Sequence, residues 1–244
     1  MTQDYSNKNI LLTGAASGIG FSQLEAYLAA GAIVYAVDRQ DIAYQHINLK
    51  TFKLDISQHK QLKVWLETLT QSVSFDILLN TAGVLDDYKT SLDTTLDDWQ
   101  HVLDINLTPM FILTNAVLPA MLSRGYGHII NMASIAGFSA GGGGVAYTSA
   151  KHAIVGYTKQ LAFDYAAKGL HVNAIAPGAI KTPMNAADFA GDAEMAKQVA
   201  AQTPAKRWAN PDEVAQLSLY LTSQQADYIN GTVIPIDGGW TLGH

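Results

Sequence analysis

Apolar residues along the chain fall into two alternating patterns. Short runs rich in β-branched residues are apolar on both faces, and the longer stretches between them repeat apolar positions every three to four residues. The short runs predict strands at 9–13, 33–37, 51–54, 76–79, 128–132, 171–175 and 232–236. "IVYAV" and "HVNAIA" lack a polar face, as parallel strands covered by helices above and below require. The longer stretches predict helices at about 18–30, 58–72, 98–123, 146–168 and 211–222. Their alternation predicts βαβ units, and hence an α/β fold: one doubly wound domain over 1–244, with a seven-stranded parallel sheet flanked by helices. Two places break the rhythm. Residues 39–50 are too few for a crossover helix with its loops, so that crossover is expected to be abbreviated. Residues 182–210 hold helical pieces ("DAEMAKQVAAQ") but no strand, which suits an active-site lid or a surface insertion.

Composition narrows the function. Only 15% of the 244 residues are charged, where about a quarter is usual, so an extensive apolar interior or interface is expected. There is no cysteine, which excludes a disulfide framework, a thiolate zinc site, an iron–sulfur cluster and a catalytic thiol. The net charge is −6 with no Lys/Arg run, which argues against nucleic acid. The start, "MTQDYSNKN", lacks the apolar core of a signal peptide, and no uninterrupted apolar run reaches about 18 residues. A cytoplasmic protein without a membrane span is expected. Seven histidines include no H-E-x-x-H pair, so no metal site is expected either.

Two ends of the chain carry candidate chemistry. "NILLTGAASGIG" places Gly14, Gly18 and Gly20 between a strand and a helix, where the backbone can approach a pyrophosphate at the helix N-terminus. Ser17 and Ile19 belong to the same turn. Asp38, closing the second strand, suits a ribose diol and would repel a 2′-phosphate, which favours NAD(H) over NADP(H). Arg39 beside it is a possible phosphate partner and pulls the other way. Asp55 and Ile56 in "FKLDIS", and Asn80, Ala82 and Gly83 in "DILLNTAGV", follow strands at the edge where open α/β sheets bind ligands. An aspartate there is also an ordinary helix cap. Further on, Tyr147 and Lys151 are four apart on one helix face, and an ammonium near a phenol lowers the tyrosine pKa from near 10. Ser134 ends the strand "HIINMAS". Glycines 141–144 form either a flexible connection or an open approach for substrate. Met184, Phe189 and Met195 suit an apolar substrate pocket or ordinary packing.

In combination, "TGAASGIG" at 13–20, Asp55, "NTAG" at 80–83, Asn106 in "DINLTPMF", Ser134, "YTSAK" at 147–151, "PG" at 177–178 and "DGG" at 237–239 resemble the classical short-chain dehydrogenase/reductase family over essentially the whole chain. The chain is most similar to the 3-oxoacyl-[acyl-carrier-protein] reductase-like group and related NAD-dependent alcohol dehydrogenases. The resemblance implies a Rossmann-type fold and a role for each matching position. Tyr147 is then the general acid/base, and Ser134 orients the substrate carbonyl. Lys151 binds the nicotinamide ribose and depresses the tyrosine pKa, while Asn106 helps hold a proton-relaying water. Pro177, Gly178, Ile180 and Thr182 cradle the nicotinamide. "NTAG" departs from the usual double-Asn form, and "MAS" from the usual double serine.

The expected activity is NAD(H)-dependent interconversion of a secondary alcohol and a ketone, on a small alcohol or a hydroxyacyl (3-oxoacyl) thioester. Reduction of a 3-oxoacyl chain on an acyl carrier protein is the alternative. Asp38 and the acidic balance oppose it, although Arg124, Lys206 and Arg207 could still form a basic platform. A non-catalytic NAD-binding redox sensor is a weaker reading. The helices at 98–123 and 146–168 are apolar on more than one face, and the tail around Trp240 is aromatic and nonpolar. Both predict a homo-oligomer, a tetramer with two-fold symmetry.

Overall fold

The structure, a computed structural model, describes residues 3–243. Met1 and Thr2, the outer end of the polar start, and His244, the end of the tail, lie outside the described residues. Seven strands, β1 (Asn9–Thr13), β2 (Ile33–Asp38), β3 (Leu49–Lys53), β4 (Ile77–Asn80), β5 (Gly127–Met132), β6 (Leu170–Pro177) and β7 (Val233–Ile236), form one parallel sheet in the order β3-β2-β1-β4-β5-β6-β7. Every residue of β4 and β5 is buried, including the polar Asn80, His128 and Asn131, as strands covered on both faces require. The strand order reverses beside β1, opening a crevice at the carboxyl ends of β1 and β4.

Helices cover both faces. α1 (Gly18–Ala29) and α7 (Pro211–Leu221) pack through Leu24, Tyr27, Val214 and Leu219 onto one face. α2 (His59–Ser72), α4 (Thr108–Arg124) and α5 (Val145–Tyr165) pack through Leu62, Leu66, Leu113, Val117 and Leu161 onto the other. Residues 39–48, between β2 and β3, hold no helix, as their length requires.

The helix expected over 98–123 is two helices, a correction with a local cause. α3 (Leu96–Asn106) starts earlier, at a capping box: the Thr95 hydroxyl accepts the Asp98 N–H at 3.1 Å, and the Asp98 carboxylate accepts the Thr95 N–H at 3.1 Å. The chain then breaks at Leu107 (φ −120°, ψ −56°), and Pro109 sits in the first turn of α4, where its missing N–H costs nothing. By length and composition alone, Leu96–Arg124 could cross a membrane. Here 56% of its apolar window is buried inside the protein, as in the core helix of a packed domain.

The excursion after β6 is closed at its base by a bridge between Ile180 and Ala209. It carries a 3-10 stretch (Pro183–Phe189) and α6 (Glu194–Gln202). Its first residues return to the glycine turn, so that a Cβ on Gly18 would stand 3.2 Å from the Cβ of Thr182.

Candidate active site

The turn after β1 is shaped for close backbone approach. A Cβ at Gly20 would run into the carbonyl oxygen of Gly14, so α1 can pack this tightly on β1 only with glycine there. Ser17 precedes α1 without capping it by its side chain, so the first N–H groups of the helix stay available to an anion. This cradle fits the pyrophosphate of a dinucleotide. Asp38 stands at its rim, with its Oδ2 accepting the Ala16 N–H at 3.0 Å and its Oδ1 the Gln40 N–H at 2.9 Å. Arg39 is exposed, and its charge falls on Asp55. Partial burial would raise the Asp55 pKa. Hydrogen bonds from the Ser57 hydroxyl and N–H, with Arg39 and His101, outweigh it and hold the carboxyl below the usual range. Ile56 is buried in the core below.

Three expected contacts turn inward. Asn80 is buried and donates to Asn131 at 2.9 Å, and Asn131 donates to Thr158 on α5 at 3.0 Å. Its side chain therefore ties β4 to β5 and α5. The Asn106 side chain clips the backbone of Val84, accepting from its N–H at 2.8 Å and donating to its carbonyl at 2.9 Å. Ile180 is buried in the core, and Pro177 ends β6. Ala82 and Gly83 follow β4 at the crevice, with the Ala82 N–H donating to the Thr13 hydroxyl at 3.3 Å.

Ser134, Tyr147 and Lys151 converge at the end of β5. Ser134, just past the strand, lies close enough to the Tyr147 phenol to lower its pKa, and its hydroxyl accepts the Ala136 N–H at 3.1 Å. One turn further along α5, Lys151 is buried and donates to the Met132 carbonyl at 2.8 Å, with its Nζ 5.3 Å from the Tyr147 ring centre. Burial pushes the Lys151 amine down to about 7. The expected depression of the tyrosine does not hold in this protein without ligand. Burial, partly offset by Ser134, pushes the phenol up to about 12. The lysine spends its hydrogen bond on a carbonyl, and enclosure disfavours the phenolate more than one partly deprotonated amine favours it. Two hydroxyls meeting beside a buried amine can hold one carbonyl oxygen and move a proton to or from it.

Sequence reasoning missed Asp86. Buried in the loop after β4, its carboxylate accepts the Gly144 N–H at 2.7 Å and the Tyr147 N–H at 2.9 Å, capping α5 from another element. Gly144 is required at this point, since a Cβ there would lie 2.7 Å from the Asp86 carboxylate. Nearby Tyr88 is exposed, and burial of its hydroxyl end, then Asp188 and Asp86, raises its pKa. Met184 and Met195 stand exposed, while Phe189 packs on Trp208 with ring centres 4.9 Å apart.

A family model described as enoyl-(acyl carrier protein) reductase matches residues 14–241. The 2-dehydro-3-deoxy-D-gluconate 5-dehydrogenase of Bacillus subtilis (strain 168) is 37% identical over 96% of this chain and 94% of its own length. A solved structure from Beutenbergia cavernae, described as a candidate NAD(P)-dependent gluconate 5-dehydrogenase with NADP at low occupancy, superposes with a TM-score of 0.93 at 33% identity, covering 100% of both chains. A 4-hydroxyisoleucine dehydrogenase complexed with NADH gives a TM-score of 0.90 at 31% identity, covering 98% of this chain and 100% of that one.

Proposed function

The chain belongs to the short-chain dehydrogenase/reductase family and is an oxidoreductase of CH–OH groups; from that premise we propose an NAD(H)-dependent dehydrogenase that interconverts a secondary hydroxyl of a small, hydroxyl-rich molecule and the matching ketone. One observation carries this reading: the buried Tyr147 phenol meets Ser134, which lowers its pKa, with the buried Lys151 amine 5.3 Å from its ring centre.

Nicotinamide dinucleotide, when bound, supplies the hydride acceptor for oxidation and the hydride for reduction. The glycine turn and the start of α1 would hold its pyrophosphate, with Thr182, packed against Gly18, beside it. Gly178, beyond the end of β6, would serve the nicotinamide, and Ser134 and Tyr147 would hold the reacting oxygen. A phenol held near 12 is protonated at neutral pH and ready to donate during ketone reduction. Positive charge beside it, from protonated Lys151, lowers that value and favours the phenolate, which takes the proton during alcohol oxidation.

Asp38 supports NAD(H), because a 2′-phosphate beside the glycine turn would face its carboxylate. The two solved relatives above hold NADP and NADH respectively. Near Tyr147, the exposed Tyr88 and the Asp188 carboxylate beside it favour a substrate rich in hydroxyl groups, in keeping with the sugar-acid names among the relatives.

The alternative is reduction of a 3-oxoacyl chain on a carrier protein, favoured by the description of the matching family model. All three basic residues expected to serve such a carrier are engaged, Lys206 by donating to the Ala201 carbonyl at 2.6 Å. Arg124 donates to the Phe75 carbonyl, and Arg207 forks onto Glu213 at 2.6 and 2.8 Å. A panel of aldonates, polyols, cyclic alcohols and 3-hydroxyacyl thioesters, each with NAD and NADP, tests the choice by absorbance of the reduced nicotinamide. Turnover of hydroxyl-rich small molecules with NAD is expected. Activity confined to acyl thioesters with the phosphorylated cofactor overturns this reading.

The proposed assembly is a homotetramer. Phe111 on α4 is 56% exposed and Phe163 on α5 is 85% exposed, which supports pairing of these helices between subunits. The half-buried edge strand β7, with Leu242 exposed beyond it, supports the second contact.

A further inference from the structure

At the opposite end of the sheet from the reacting residues, the first turns of β5 and β6 bring two histidines together. The register pairs His128 with His171, and neighbouring parallel strands send paired side chains to the same face. Their rings stack with centres 4.7 Å apart and planes 22° apart. Asp227 comes from a third element, just past the 3-10 turn Gln224–Ala226 that follows α7. One ligand atom from each of the three lies within 4.8 Å of the other two.

The hydrogen bonding here is incomplete. His128 is 1% exposed, and its Nδ1 and that of His171 are buried with no hydrogen-bond partner among the described residues. The Leu221 carbonyl takes a hydrogen bond from the His128 ring. That bond places the proton on the other nitrogen and turns the Nδ1 lone pair inward, the arrangement that second-shell carbonyls impose on metal-binding imidazoles. Two buried Nδ1 atoms with no partner carry a cost that one shared cation would remove.

We propose that His128, His171 and Asp227 form a binding site for a borderline divalent transition-metal ion of the zinc class, separate from the catalytic centre. Two imidazoles and a carboxylate suit zinc, with water completing the shell, and do not suit magnesium or calcium. Tetrahedral ligand atoms at about 2.0–2.1 Å from zinc stand about 3.3 Å apart. The exposed side chain of Asp227 has the freedom to close most of the remaining distance. The bound ion ties β5, β6 and the segment after α7 together and stabilises the fold without entering hydride transfer. The sequence hid this site, because its ligands lie on separate strands and a distant turn, and the expectation of no metal site rested on short motifs.

The test uses protein free of any affinity tag and stripped with EDTA, titrated calorimetrically with zinc chloride and melted with zinc or magnesium. One zinc per chain is expected, together with a rise in Tm that magnesium does not give. His171→Ala and Asp227→Asn should each weaken binding by at least about tenfold and abolish the rise in Tm. Alcohol oxidation by stripped protein should be unchanged. Absence of zinc uptake overturns the proposal, as does uptake undiminished in the two variants. A shared water between the two Nδ1 atoms would then remain as their partner.

Discussion

The Asp86 carboxylate accepts the backbone N–H of Tyr147 at 2.9 Å, so the helix bearing the phenol is fixed at its start by a loop from the far side of the crevice. The same carboxylate holds Gly144 and leaves the phenol itself free. Asp86→Asn keeps the size but removes the charge at the helix N-terminus and one acceptor. Loss of about 1–3 kcal/mol of stability is expected. The rate should fall through kcat, with cofactor affinity unchanged, because Asp86 positions Tyr147 and stands away from the glycine turn. Denaturant melts and cofactor fluorescence titration separate the two effects. An equal loss of cofactor affinity would contradict this role.

Asp38 is expected to set the cofactor preference. Asp38→Ala removes the like charge facing a 2′-phosphate, so kcat/KM with NADP should rise while that with NAD falls. Its hydrogen bond to Ala16 is lost as well, so a modest drop in Tm is expected. A wild-type enzyme equally efficient with both cofactors would contradict the assignment.

Lys151 makes stability depend on pH. Its amine titrates at about 7 in the folded protein, against 10.5 for a free lysine, so between these limits the unfolded chain holds a proton that the folded chain has released. Stability therefore rises with pH across that window, and the burial cost is fully present below pH 7. Lys151→Met should stabilise the protein most at pH 6, with the gain shrinking towards pH 10, while activity is lost. Urea melts at pH 6, 8 and 10 check this. A variant less stable than the parent at pH 6 would contradict it.

The two exposed phenylalanines carry the assembly prediction. Phe111→Glu with Phe163→Glu should leave smaller particles, read by light scattering at micromolar concentration against a chain mass of 26.2 kDa. A parent protein already at that mass would contradict both proposed contacts.

Much of the fold was legible because local pattern and tertiary role agree. β1 spans the same residues in the pattern and in the structure, since an apolar run ending at a glycine turn admits one strand and one stop. The break at Leu107 was hidden because apolar positions recur at helical spacing on both sides of it, although the Thr95–Asp98 box was visible. At the site, Ser134, Tyr147 and Lys151 could be read from spacing. The inward turns of Asn80 and Asn106 could not, because an amide's partner is chosen by the packed neighbours Asn131 and Val84. Asp86 carried no signal, since its targets are backbone groups nearly sixty residues away that only the fold brings near.

The central claim is that Tyr147 moves the proton. Tyr147→Phe keeps the ring in its buried slot and removes the hydroxyl that meets Ser134. The decisive measurement is kcat of this variant on the best alcohol of the panel, alongside its affinity for NADH. The predicted result is a fall in kcat of at least about 10²-fold with affinity unchanged. A Phe variant that keeps most of its turnover would contradict the account.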